Sequence, residues 1–252
     1  MQRVEFMGPP GVGKTTVLRY LQDERVPGVG ALHSPLWLPL WAEHQRKRPN
    51  AATRYLESAL YARKGLRRWM RPRLEKEMIR HALRELRNAP APWPEFLRGA
   101  LEGPDPGISP ALAIERMRSF GFSTAQAWVT DRLAREGAVV FDEGLAQRGI
   151  SLGQGMDADR TREYYRLMPA PAAVVRIEAP ATEIQARLRD RNPDVTRFHA
   201  MVEQGLEIGE RAGETLRERG IPVVEIDASG DFGATAQDAV RALKSLPGMS
   251  DR

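Results

Sequence analysis

The sequence predicts an α/β fold: a parallel sheet of about five strands covered by helices on both faces. Three observations carry that expectation. Short apolar runs at Val4–Met7, Ala138–Phe141, Ala172–Ile177 and Ile221–Ile226 alternate with helix-length segments, the pattern of strands joined by helical crossovers. The first run leads directly into Gly8-Pro9-Pro10-Gly11-Val12-Gly13-Lys14-Thr15-Thr16, which satisfies G-x-x-x-x-G-K-[ST]. Behind it, Thr16-Val17-Leu18-Arg19-Tyr20-Leu21 opens an apolar-periodic helix.

Strand, glycine loop and helix stand in the order that phosphate binding requires. The strand ends, the glycines let backbone N–H groups turn inward around phosphate oxygens, and the helix N-terminus adds its positive dipole end. In such a loop Lys14 reaches the β- and γ-phosphates and the Thr15 hydroxyl ligates Mg²⁺. Residues Gly8 to Thr16 are therefore expected to hold a nucleoside triphosphate with Mg²⁺, and the fold class becomes that of a P-loop NTPase.

Composition bounds the rest. A chain of 252 residues with 42% hydrophobic and 28% charged content suits one large soluble domain. It contains no cysteine, which excludes disulfides, thiolate catalysis and Cys-ligated zinc and fits a reducing, cytoplasmic setting. The first strand begins within a few residues of Met1, leaving no room for a signal peptide, and no apolar run has the length of a membrane span. The net charge of +5 is unevenly spread: residues 41–90 hold fourteen Lys and Arg against five Glu, so this segment carries +9 and the remainder −4.

The elements follow in order. Strand 2–7 and helix 14–24 flank the phosphate loop. Val26-Pro27-Gly28-Val29-Gly30 reads as a loop, and Ala31–Ser34 as a short second strand. Two prolines make 35–41 an irregular apolar segment. Leu56 and Leu60, then Leu66, Met70, Leu74 and Met78, recur at four-residue steps, a helical pattern over 51–88 that Pro72 kinks or splits. Six prolines between Ala89 and Pro110 predict a loop-rich link with no continuous helix. Helical patterns resume over 111–120 and 124–136. Strand 138–141 ends in Asp142-Glu143-Gly144. Strand 172–177 precedes a helix that Thr182 is placed to cap, and strand 221–226 precedes a last helix over 234–246. The expected organisation is one domain, 1–252, with a helical basic insertion at 41–136 between strands 2 and 3 and a lid at 187–200.

Two further groups carry chemistry. An acid closing a buried strand lies at the carboxyl edge of the sheet, where open α/β folds bind ligands. Asp142 is thus expected to hold Mg²⁺, and Glu143 beside it to act as a base or face solvent. Arg187, Arg189 and Arg191 end a helix. Arginine forks there suit closure over phosphates, where they neutralise charge on a transferring phosphoryl group.

These pieces resemble the nucleoside and nucleoside-monophosphate kinase family of P-loop proteins, with thymidylate kinase and the deoxynucleoside kinases as the nearest pattern. The resemblance rests on Gly8–Thr16, on Asp142-Glu143-Gly144-Leu145-Ala146-Gln147-Arg148-Gly149, on Arg176–Pro180 with Arg187–Arg191, and on Glu225–Gly230. It spans residues 1–25 and 137–247. It implies that Ser229 and Gly230 lie against the adenine of ATP, and that a nucleoside or nucleotide accepts the phosphoryl group. Glu143 stands where the family usually has Arg, and the region after strand 2 holds no acid before Glu43. The acceptor is expected beneath the insertion, against His33, Trp37 and Glu43 and a basic helix face that includes Arg63, Arg67 and Arg71. That stripe is also the electrostatic footprint of a polyanion, so a nucleic-acid acceptor, including a modified base in DNA, stays open. So does a homodimer. A P-loop ATPase driven with a nucleic-acid or protein partner is the alternative. No N-K-x-D guanine motif occurs.

Overall fold

Strand β1 (Gln2–Met7) places alternate residues on opposite faces of the sheet, and that alternation organises the molecule. A computed structural model of the chain describes residues 2–23, 32–33, 76, 79–80, 82, 84–101, 109–133, 138–191 and 198–246. Five strands, β1, β2 (Leu32–His33), β3 (Ala138–Phe141), β4 (Ala173–Glu178) and β5 (Val223–Asp227), form one sheet in the order β2-β3-β1-β4-β5. All pairings are parallel; Val4 lies opposite Val140 on one side, and Phe6 opposite Val175 on the other.

The helices are α1 (Lys14–Asp23), α2 (Trp93–Leu101), α3 (Pro110–Leu133), α4 (Leu145–Gly153), α5 (Ala158–Leu167), α6 (Ala181–Arg191), α7 (Phe198–Glu218) and α8 (Phe232–Ser245). Val4, Phe6, Val175 and Ile177 enter a core with Val17, Leu21, Ile184, Ala239 and Leu243 of α1, α6 and α8. Met7 and Val174 enter a second core with Phe96, Trp128, Ile150, Tyr165 and Ala212 of α2 to α5 and α7. Each fully buried Phe, Leu or Ile contributes about 1.5–3 kcal/mol of transfer free energy, so these two layers hold the sheet.

The charged members of β1 face the second layer. Arg3 donates to Asp131 of α3 at 3.0 Å and to the Pro169 carbonyl at 2.7 Å, and it pairs with Glu5. The Glu5 carboxylate accepts the Ala146 N–H at 2.6 Å. Glu5 thereby caps α4, whose own N-cap, Gly144, has no side chain to do so. Burial pushes the Glu5 carboxyl up; the Arg3 guanidinium and the Ala146 N–H pull it back down.

The chain leaves β1 through α1 toward β2 and later crosses from β3 to β4 on the other side. Connections therefore diverge at the carboxyl end of β1, between β3 and β4, and leave a crevice there. Among the described residues no helix is long and apolar enough to cross a membrane.

Four local expectations are revised. The proline-rich stretch 89–110 contains a helix, α2, because Pro92 and Pro94 sit before and within its first turn, where backbone N–H groups need no helical partner. The Pro92 carbonyl accepts the Phe96 N–H at 2.9 Å. The two helices expected over 111–136 are one, α3. It runs through the exposed Gly121 at a cost of about 1 kcal/mol, while burial of Phe120, Ala125, Trp128 and Val129 fixes its second half. Thr182 is not the cap of α6; that helix starts at Ala181, with the Pro180 carbonyl accepting from the Glu183 N–H at 3.0 Å. The last helix starts at Phe232, capped by Asp231, whose carboxylate accepts the Ala234 N–H.

Candidate active site

The loop after β1 is shaped by two close approaches. At Gly8, φ is +153°, and a Cβ would stand 2.3 Å from the Ile177 carbonyl oxygen of β4. At Gly11, φ is +85°, and a Cβ would meet Leu188 of α6 at 2.7 Å. A Cβ at Gly8 would have to displace the β4 backbone, and one at Gly11 would have to displace the Leu188 side chain at a backbone conformation that favours glycine. Gly13 ends the loop, its carbonyl accepting from the Thr16 and Val17 N–H groups at 2.9 and 3.0 Å and so starting α1.

Lys14 opens that helix, with 7% of its surface exposed. Its ammonium donates to the Gly8 and Pro9 carbonyls at 2.8 and 3.0 Å, folding back over its own loop. Burial lowers its pKa to about 8; Glu143 and Asp142 pull it up, and Arg148 pushes it further down. Thr15, exposed beside it, donates its hydroxyl proton to Asp142 at 3.2 Å. Asp142 follows β3 at the carboxyl edge, beside β1 in the parallel register.

Hydroxyl and carboxylate converge as a pair, and this fits Mg²⁺. That ion takes few protein ligands and completes an octahedron with water and phosphate oxygens. Among the described residues no group of three or more His, Cys, Asp or Glu gathers that could hold a metal by itself.

Glu143 faces a cleft of about 290 Å³ that Lys14 also lines. Helices α3, α4 and α7 form its walls through Glu115, Arg116, Gln147, Arg148, Gln154 and Met201. The Glu143 carboxylate meets Arg148 at 2.8 Å. Gln147 accepts the Gly8 N–H at 3.1 Å, tying the start of the phosphate loop to α4. Two tyrosines hold α4 from behind: the Tyr164 and Tyr165 hydroxyls donate to the Leu145 and Ala146 carbonyls, each at 2.9 Å.

The structure thus brings Lys14, Thr15, Asp142 and Glu143 together. Pro10 lines the cleft; Pro9 packs against Gly205 of α7, Val12 is buried, and Thr16 is exposed. Of the three arginines, Arg187 bonds Glu183 at 3.2 Å and the Ala228 carbonyl at 2.7 Å, fastening α6 to the turn after β5. Arg189 and Arg191 are exposed at the end of α6. In that turn Asp227 accepts the Ser229 N–H and hydroxyl at 2.7 and 2.8 Å, which holds its carboxyl below the usual range, and Gly230 follows with φ +86°. His33 ends β2, two strands from the loop. Trp37, Glu43, Arg63, Arg67 and Arg71, and residues 192–197 of the expected lid, lie outside the described residues.

Sequence reasoning missed Glu5, Ser123, Gln147 and Arg148. For Gln147 and Arg148 a signal existed: a helix that starts directly after a strand-end acid points its first turn at the sheet's carboxyl edge. Ser123 and Glu5 give no such signal, since tertiary packing alone brings them to α4.

No protein-family model matches the chain, and no curated protein matches it in sequence. Among solved structures it is similar to deoxyadenosine kinase from M. mycoides with bound dATP, with a TM-score of 0.47 and 11% identity over 96% of this chain and 100% of that one. It is similar also to that kinase with bound dCTP, at TM-score 0.43 and 12% identity over 97% and 100% of the two chains, and with dCMP and dCDP, at 0.43 and 11% over 97% and 99%.

Proposed function

We propose that the protein is a phosphotransferase that moves the γ-phosphoryl group of ATP to a hydroxyl or phosphate of a nucleoside, nucleotide or nucleic-acid acceptor. The observation that carries this reading is the cleft of about 290 Å³ lined by both Lys14 and Glu143. A hydrolase needs space for one water, about 30 Å³. A cleft approaching the size of small-molecule pockets, opening directly onto the phosphate-loop lysine, suits a second substrate.

In this reading the amides of Gly8 to Thr16 and the Lys14 ammonium bind the β- and γ-phosphates. The ammonium exchanges the Gly8 and Pro9 carbonyls for phosphate oxygens. Thr15 and Asp142 would hold Mg²⁺, which neutralises phosphate charge when bound. Ser229 and Gly230, steadied through Ala228 and Arg187, border the base of the donor. Glu143 orients the acceptor hydroxyl and takes its proton. Arg189 and Arg191, exposed at the end of α6, would neutralise charge on the phosphates in this reading.

The test uses γ-labelled ATP with the protein alone, then with a panel of nucleosides and nucleotides, then with DNA. Label transferred to an acceptor, and lost in Lys14→Ala, supports the reading. Label appearing only as free phosphate under every condition sinks it in favour of an ATPase. Transfer to DNA alone selects a nucleic-acid acceptor.

A further inference from the structure

One cation in the cleft is explained neither by the phosphate loop nor by the acidic pair. Arg148 stands in the first turn of α4 with 15% of its side chain exposed. Its Nε donates to the Ser123 hydroxyl at 2.9 Å, and its Nη2 meets the Glu143 carboxylate at 2.8 Å. Ser123 is fully buried in α3 and its hydroxyl donates a hydrogen bond to the Glu143 backbone carbonyl at 2.7 Å. One hydroxyl thus joins a helix of the insertion, the turn after β3 and the guanidinium of α4.

A guanidinium carries five N–H donors, and the two contacts use two of them. The others meet no further partner among the described residues, and the side chain lines the cleft with Lys14. A rigid donor fork bordering the cleft that the phosphate-loop lysine also lines suits stabilisation of charge that develops there, at no reorganisation cost.

We propose that Arg148 is a catalytic arginine, supplied in cis from α4, that contacts the transferring phosphoryl group, and that Ser123 is the residue positioning it. This inference rests on the phosphoryl-transfer reading. In the step, the acceptor oxygen forms a bond to the γ-phosphorus. The bond from that phosphorus to the β–γ bridging oxygen breaks, and its electron pair leaves with the diphosphate. The acceptor's proton passes to Glu143. Arg148 exchanges no proton; its N–H groups bond the equatorial oxygens as charge spreads over them.

The experiment separates ground state from transition state. Fluorescent ADP is titrated into the full chain with Mg²⁺, with and without aluminium fluoride, which with ADP mimics the transferring group. The parent protein is expected to bind ADP and to tighten when fluoride is added. Arg148→Met should keep ADP affinity within roughly threefold yet lose on the order of 100-fold of the tightening. Arg148→Lys, which lacks the planar fork, should not restore it. Ser123→Ala should lose roughly tenfold of the tightening at unchanged ADP affinity. It should add nothing in the Arg148→Met background, whereas a merely structural serine would add its own loss. Full tightening in both Arg148 variants would overturn the proposal and leave the phosphate-loop reading standing. A parent that binds ADP and never tightens would overturn it as well. A parent that binds no ADP, as Lys14→Ala should not, would remove the phosphate-loop reading and this inference with it.

Discussion

Raising the pH from 7 to 9 titrates Lys14, the lysine proposed to meet the donor phosphates, and the affinity for donor should fall as it does. In the free protein Lys14 titrates near 8, lowered mainly by burial and partly by Arg148 against the pull of Glu143 and Asp142. A lysine with a depressed pKa is charged below that value and neutral above it, so roughly one tenth is neutral at pH 7 and nine tenths at pH 9. Phosphate oxygens require the ammonium. The apparent Kd for ATP should therefore rise about tenfold over this interval, about 1.4 kcal/mol. The same linkage demands proton uptake on binding, roughly 0.1 proton at pH 7, 0.5 at pH 8 and 0.9 at pH 9. Isothermal titration calorimetry in two buffers of different ionisation enthalpy reads both quantities. Lys14→Arg supplies the control, since a guanidinium stays charged throughout and should bind with no pH slope. A flat Kd between pH 7 and 9 in the parent, or a slope surviving in Lys14→Arg, would refute the reasoning.

Two further perturbations test the frame around the site. Gly11→Ala meets both a φ of +85° and the Leu188 side chain at 2.7 Å; it should cost about 1–3 kcal/mol in urea unfolding and weaken ATP binding. Adding Leu188→Ala should recover the steric share and leave the backbone share, so a single variant as stable as the parent would contradict the packing described. Glu5→Gln removes the carboxylate that both pairs with the buried Arg3 and caps α4. An unfolding loss of about 3–5 kcal/mol is expected, and one below about 1 kcal/mol would show that the pair does not hold that helix.

What the sequence disclosed followed from local rules. Val4 to Met7, the glycines after them and Asp142 at the end of β3 declare themselves because strand alternation, positive φ and a strand-end acid each depend on a few adjacent residues. The parallel sheet follows from their repetition, and its five strands are observed within a residue or two of the expected positions. The merging of α3 was not legible. Gly121 and the polar residues around it look like a break, and only burial of Trp128 and Val129 overrides them. Helix α5 matters through Tyr164 and Tyr165, whose hydroxyls reach carbonyls nineteen residues back, beyond any local pattern. The bond from Arg187 to the Ala228 carbonyl was not legible either, since it depends on how β5 sits beside β4.

The first turn of α4 answers to several masters at once. Leu145 and Ala146 are gripped by tyrosines and by Glu5, Gln147 holds Gly8, Arg148 bridges Ser123 and Glu143, and Gly149 lies so close to Tyr165 that a Cβ would fall 2.4 Å from the ring. Such a segment is poor ground for redesign, because no one residue can change without detuning a neighbour's task. Attempts to alter the proposed acceptor preference belong on other residues of the cleft. Leu112, Glu115 and Ser119 of α3 and Met201 of α7 border the same space.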